Sequence, residues 1–117
     1  MSFDKLRPGD CIESFPDDPT EGLPVVPCGR PHDEEVIAAR DLGPGPWPGD
    51  STTDARSVEI CTQEFATYVG IPRDQSRYDL EWWPPVKESW ELGDSSLQCV
   101  VSDPSGKTVG TLRNARA

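Results

Sequence analysis

Residues 51–70, with the sequence STTDARSVEICTQEFATYVG, decide the fold because they are the longest stretch with helical periodicity. Ser51 or Thr52 can cap the amino terminus of a helix here, and Gly70 ends it. We therefore predict a helix from about residue 51 to residue 69 that buries one stripe of its surface. The apolar stripe, at spacings of three and four residues, consists of Val58, Cys61, Phe65 and Val69, flanked by Ile60 and Tyr68.

Short strand signals precede this helix. A Pro-Gly turn leads into a strand at Cys11, and a β-branched run between prolines predicts an edge strand over residues 23–28. Residues 34–40 carry apolar side chains on both faces, which predicts a strand buried against a helix. Residues 43–50 are rich in proline and glycine and predict a rigid loop that suits neither helix nor sheet.

After the helix, residues 71–85 are expected to be irregular because prolines bound them. Strand material follows at residues 89–92 and 97–101, and a last strand over residues 108–112 is expected to pair with residues 99–102 as a hairpin. The predicted fold class is α+β, in which a small antiparallel sheet packs against one principal helix and loops are numerous.

The four cysteines, Cys11, Cys28, Cys61 and Cys99, are even in number and widely spaced, which favours two disulfides. Three pairings are possible. Helix-to-sheet geometry favours Cys61 with Cys99, which leaves Cys11 with Cys28. Zinc is the weaker interpretation because the ligands lack closely spaced pairs, although His32 follows Cys28 by four residues. Free buried cysteines in a cytosolic core are the remaining alternative. No metal or cofactor is therefore expected.

The length of 117 residues fits one domain, and 34% hydrophobic residues with 13 prolines give a thin core that needs covalent ties. We assign residues 1–8 to a flexible or vector-derived leader, residues 9–113 to a single domain and residues 114–117 to a tail. The net charge of −10 predicts repulsion from nucleic acid and from anionic lipid. No apolar run is long enough to span a membrane.

Four motifs together resemble the septum formation domain family of actinobacterial envelope proteins. They are Gly-Asp-Cys at residues 9–11, Cys-x-x-Pro-His-x-x-Glu-Val at residues 28–36, Trp-x-x-Gly-Asp at residues 90–94 and Gly-Thr-Leu-Arg at residues 110–113. The resemblance implies an extracytoplasmic domain, commonly tethered to a membrane segment, that is associated with cell division and has no assigned catalytic activity. It also implies a fragment of a membrane-anchored protein, although this chain shows no tether. The matching positions are Cys11, Cys28, His32, Glu35, Cys61 and Cys99.

His32 and Glu35 are the candidates for acid and base chemistry, because a carboxylate beside an imidazole tunes its pKa and orients its tautomer. The structural interpretation is stronger, since a histidine before a strand can satisfy loop backbone groups. Trp47 lies in a proline-rich loop, and we expect it to be the best exposed aromatic for binding a glycan or an extended peptide.

The sequence therefore predicts a binding or scaffolding module of the cell envelope and not an enzyme. Trp47, His32 and Glu35 are its candidate binding residues, and its expected partner is an envelope or division protein, with peptidoglycan as a further candidate. The alternatives are a hydrolase of envelope polymers that uses His32 and Glu35, and a structural spacer domain.

Overall fold

The structure is a computed structural model that describes residues 7–13 and 25–117. Residues 1–6 of the predicted leader and residues 23–24 of the predicted edge strand lie outside the described residues. The described chain has the predicted α+β fold with one long helix. Its elements follow in the order β1 (Cys11–Ile12), β2 (Val25–Val26), β3 (Glu34–Asp41), α1 (Asp50–Val69), a 3-10 helix (Arg73–Gln75), β4 (Asp79–Trp83), α2 (Lys87–Glu91) and β5 (Ser96–Ser102).

The sheet has five strands in the order β2-β1-β3-β5-β4, and every neighbouring pair is antiparallel. Its centre is the pair β3–β5, which runs from Glu34 opposite Ser102 to Asp41 opposite Ser96, with an irregularity between Val36 and Ala38. β2 lies at one edge, as the flanking prolines predict, because proline cannot donate a hydrogen bond to a second neighbour.

α1 covers one face of the sheet, where it packs against β3, β4 and β5. Cys61 and Phe65 of the helix are fully buried there and meet Cys99 and Leu97 of β5. The opposite face carries a smaller apolar cluster formed by Ile12, Val36 and Val100, with Trp83 packed against it. Strand β3 therefore needs apolar residues on both faces, which explains why its sequence does not alternate. No helix in the described part of the chain has both the length and the apolar character needed to cross a bilayer.

The predicted helix is confirmed, with two corrections in its amino-terminal half. Gly49 is the N-cap, with φ 97°, a conformation that glycine adopts readily, so neither Ser51 nor Thr52 caps the helix. Val58 is only half-buried, and Ser57 occupies the fully buried position instead. The buried positions before Cys61 are Ser57 and Thr53, at intervals of four residues. The Ser57 hydroxyl donates a hydrogen bond to Thr53 O at 2.7 Å, so this buried polar group has a partner.

Three predictions beyond the helix are wrong. Residues 79–83, predicted to be irregular, form β4, because they pair with β5 from Asp79 opposite Ser102 to Trp83 opposite Gln98. Residues 87–91 form the short helix α2, although residues 89–92 were predicted to be strand. The strand predicted over residues 108–112 is absent, since β3 and β4 already occupy both edges of β5; only Thr108 forms an isolated bridge, with His32.

Candidate functional site

Both disulfides have the favoured pairing. Cys11 of β1 is bonded to Cys28, with their Cα atoms 5.3 Å apart. Cys61 of α1 is bonded to Cys99 of β5, with their Cα atoms 5.4 Å apart. The first disulfide joins β1 to the chain that leaves β2, and the second fixes the helix to the central pair of strands. The structure thus confirms the inference from helix-to-sheet geometry.

His32 lies just before β3 and has no exposed surface. Its Nδ1 is 2.8 Å from Arg30 O, and its Nε2 is 3.2 Å from Thr108 Oγ1. Its backbone is bonded to Thr108 in both directions, at 3.0 and 2.9 Å. Both ring nitrogens therefore have partners within the fold, which is the arrangement that the structural interpretation of this histidine requires.

Glu35 is also fully buried, on the face of the sheet that α1 covers. Its carboxylate accepts hydrogen bonds from the Tyr68 hydroxyl, from Thr111 Oγ1 at 2.7 Å and from the Leu112 backbone N–H at 2.9 Å. Burial, and then the hydrogen bond to Glu35, raise the pKa of Tyr68. Glu35 thereby ties the C-terminal segment to β3 and to the end of α1.

His32 and Glu35 gather around the first disulfide. One ligand atom from each of Cys11, His32 and Glu35 lies within 4.8 Å of the others, and all three side chains are buried. Together with Cys28 we call this group the buried polar cluster. In the oxidised protein the two sulfurs are bonded to each other, so the cluster offers a metal no thiolate. Because His32 and Glu35 are closed to solvent, an external polymer cannot reach them without local opening.

Trp47 lies at the other end of β3 and is half-buried. Its ring meets Trp90 of α2 edge to face, with ring centroids 5.6 Å apart and an interplanar angle of 71°. Trp90 Nε1 donates to Gly45 O at 2.8 Å, which fastens the loop to α2. The fixed pair presents aromatic surface at little conformational cost on binding.

Beside this pair is an open cavity of about 280 Å³, which we call the loop cleft. The Ser95 hydroxyl and the Gly43 N–H both donate to Asp41 at its rim, and these bonds lower the pKa of Asp41. Leu92, next to the cleft in sequence, is 88% exposed. The cleft is lined by Asp41, Gly43, Pro44, Gly45, Trp90, Gly93 and Ser95.

The structure does not bring Trp47 together with His32 and Glu35. Glu35 and Asp41 are six residues apart along one strand, which corresponds to about 20 Å. The candidate binding residues therefore form two separate sites, the buried polar cluster and the loop cleft. Trp90 is partly buried against the main core and also lines the cleft, and no feature of the sequence indicated that it would meet Trp47.

Glu34 is a further unusual carboxyl that the sequence did not single out. Burial, reinforced by the negative charges of Glu81 and Asp33, raises its pKa to about 7. Its Oε2 is buried and has no hydrogen-bond partner among the described residues. Glu34 pairs with Ile12 in the sheet and so faces away from α1, on the opposite side from Glu35.

A family model described as "Septum formation" matches residues 3–99, which is most of the chain. No curated protein and no solved structure matches the chain. The match starts before the motif at residues 9–11 and ends at Cys99, so the C-terminal segment that bonds to Glu35 lies beyond it.

Proposed function

We infer the function of this protein from two facts: the chain belongs to the septum formation family, and its candidate acid and base are buried within the fold. We propose that it is a non-catalytic, extracytoplasmic binding module that holds an envelope or division protein during septum formation. The loop cleft is the binding surface in this proposal.

The observation that carries the proposal is the state of His32 and Glu35. Each is fully buried, and their polar atoms are occupied by Arg30, Thr108 and the three donors to Glu35. A general acid or base must come within hydrogen-bond reach of its substrate, directly or through one water. This geometry supports a structural role for both side chains over the hydrolase alternative.

The loop cleft supports the binding part of the proposal. Pro44 and Trp90 line the cleft, Trp47 packs on Trp90, and the exposed Leu92 precedes the lining residue Gly93. Tryptophan is among the residues that most often anchor protein interfaces. Asp41 adds negative charge at the rim, in a protein of net charge −10. The expected partner surface therefore presents lysine or arginine around an apolar centre.

The two disulfides support the extracytoplasmic part of the proposal. Disulfides persist in oxidising compartments and are reduced in most cytosols. All four cysteines are consumed in bridges, and Cys61 and Cys99 are fully buried. A domain with so small a hydrophobic core is stabilised by disulfides only in a compartment where they remain oxidised.

Capture from a detergent extract of the cell envelope tests the proposal. The oxidised domain is immobilised beside the variants Trp47→Ala, Leu92→Ala and Val109→Ala, and retained proteins are quantified by mass spectrometry. Val109 is the matched control, because it is an apolar residue that is 66% exposed and lies near His32, at the far end of β3. We expect an envelope protein to be retained by the wild type and by Val109→Ala, and to be lost by at least about tenfold with Trp47→Ala.

Leu92→Ala separates a contact effect from a structural effect, since this side chain is almost wholly outside the fold. If the wild type and the three variants retain the envelope protein equally, the loop cleft is not its binding surface. Release of soluble fragments from purified envelope polymer by the wild type, but not by His32→Ala, would replace the binding module with the hydrolase. Failure of every form to retain an envelope protein would leave the spacer as the better description.

A further inference from the structure

The buried polar cluster contains a complete set of metal-ligand side chains drawn from three segments. Cys11 and Glu35 are directly opposite each other in strands β1 and β3. Cys28 and His32 come from one loop with three residues between them, within the spacing range of ligand pairs in structural zinc sites. Ligand atoms of Cys11, His32 and Glu35 lie within 4.8 Å of one another, and Cys28 Sγ is attached to Cys11 Sγ.

The second layer of contacts resembles that of a metal site. Arg30 O can only accept, so the neutral His32 ring carries its proton on Nδ1 and keeps the lone pair on Nε2. Histidine ligands usually donate their other N–H to a backbone carbonyl in this way, and carboxylate ligands are themselves held by hydrogen bonds. Glu35 is held by the donors from Tyr68, Thr111 and Leu112.

We propose that, when the Cys11–Cys28 disulfide is reduced, these four side chains bind one thiophilic divalent cation of the Zn²⁺ type. Reduction by a dithiol transfers two electrons and two protons to the disulfide, which gives two thiols and leaves the reductant as its own disulfide. Binding of Zn²⁺ then releases the two thiol protons to solvent as the sulfurs become thiolate ligands. Disulfide and metal are therefore mutually exclusive states of one site.

The distances are compatible with this site. Zinc bonds of about 2.3 Å to sulfur and about 2.0 Å to nitrogen or oxygen place tetrahedral ligand atoms about 3.3–3.8 Å apart. The ligand atoms of Cys11, His32 and Glu35 are separated by at most 4.8 Å in the oxidised protein, so contraction by up to about 1.5 Å brings these three to tetrahedral spacing. The sulfurs separate as their bond breaks.

The net charge of the cluster is the same in the oxidised and the metal-bound states. The oxidised cluster contains a neutral disulfide and the Glu35 carboxylate, for a total of −1. The metal-bound cluster contains two thiolates, one carboxylate and a divalent cation, again for a total of −1. Exchange of the disulfide for the metal therefore adds no net charge to a buried region, where an uncompensated charge is costly.

The second disulfide provides an internal comparison. Cys61 and Cys99 lie in the apolar core with Phe65 and Leu97, and among the described residues the only cluster of three metal-ligand side chains is the one at Cys11. Reduction of Cys61–Cys99 therefore supplies two thiols without a histidine or carboxylate beside them. Metal binding that requires Cys11 and Cys28, but not Cys61 and Cys99, therefore distinguishes the proposed site from adventitious binding by any pair of thiols.

Cobalt titration of the full chain tests the proposal. The protein is reduced with a phosphine under anaerobic conditions, the phosphine is removed, and Co²⁺ is added while thiolate and tetrahedral absorption bands are recorded. We expect one Co²⁺ per reduced wild-type chain, displaced by Zn²⁺, and none for the oxidised chain. Replacement of both Cys11 and Cys28 by serine abolishes binding, whereas replacement of both Cys61 and Cys99 by alanine retains one Co²⁺.

Glu35→Gln and Glu34→Gln form the matched pair for the carboxylate, because the two neighbours face opposite sides of the sheet. We expect Glu35→Gln to weaken binding by at least about tenfold and Glu34→Gln to leave it within about twofold. Circular dichroism follows folding in every sample. The proposal is overturned if the reduced wild type binds no Co²⁺, including the case in which it stays unfolded with metal present, or if binding follows Cys61 and Cys99. Equal affinities of the two glutamine variants would overturn the role of Glu35.

Discussion

At Glu35, a carboxylate with no exposed surface is held by donors that lie 33, 76 and 77 residues further along the chain. The sequence identified Glu35 as a position of interest, but these partners belong to α1 and to a segment without regular structure. No local pattern links them to β3. The cysteine pairing could be predicted because a helix stripe and a central strand must face each other, whereas the hydrogen-bonding partners of a buried carboxylate depend on the whole fold.

Tyr68→Phe tests the structural role of Glu35. The change removes one charge-assisted hydrogen bond to a buried carboxylate and leaves the ring in place, so we expect the free energy of unfolding to fall by about 2 kcal/mol. Urea denaturation measures it. Tyr78→Phe is the control, because Tyr78 is only half-buried and contacts Arg77 through its ring; it should change stability by less than about 0.5 kcal/mol. Equal effects of the two variants would mean that Glu35 does not depend on the Tyr68 hydroxyl.

At the level of elements, α1 is the part of the fold that the sequence predicted best, because twenty residues give the periodicity several turns in which to appear. α2 has only five residues, too few for a helical period, and its Trp90 suggested a strand. β4 was missed because prolines bound this region on both sides, although Leu80, Glu81 and Trp82 alternate as strand residues do. The strand predicted at residues 108–112 failed for a topological reason, since β5 has no free edge.

The end of α1 gives a prediction at this level. Gly70 has φ 98°, and a Cβ built there would lie 2.9 Å from Arg116 Cγ. Gly70→Ala should therefore lower the free energy of unfolding by about 1–2 kcal/mol, mainly through the cost of a left-handed conformation. Gly29→Ala is the control, because no atom of the described residues, apart from its two chain neighbours, lies within 4 Å of its Cβ position, and its φ is outside the left-handed range. Thermal unfolding compares the two variants. If Gly70→Ala is as stable as the wild type, α1 does not need a glycine in the left-handed conformation at its carboxyl end.

For the molecule as a whole, the two disulfides contribute on the scale of the entire stability. They close loops of 17 and 38 residues, which correspond to about 3 and about 4 kcal/mol in the chain-entropy model. Domains of this size have a net stability of about 5–15 kcal/mol. The low hydrophobic content predicted this dependence. It could not predict that the first disulfide would lie against a histidine and a glutamate.

We propose that the domain works in its oxidised form, outside the cytosol, and that His32 and Glu35 serve to hold the fold. The most direct test is to alkylate free thiols in living cells that produce the protein, and then to map its peptides without reduction. We expect peptides linked through Cys11–Cys28 and Cys61–Cys99 and no alkylated cysteine. Alkylation of the four cysteines in the cell, or peptides linked in another pairing, would contradict it.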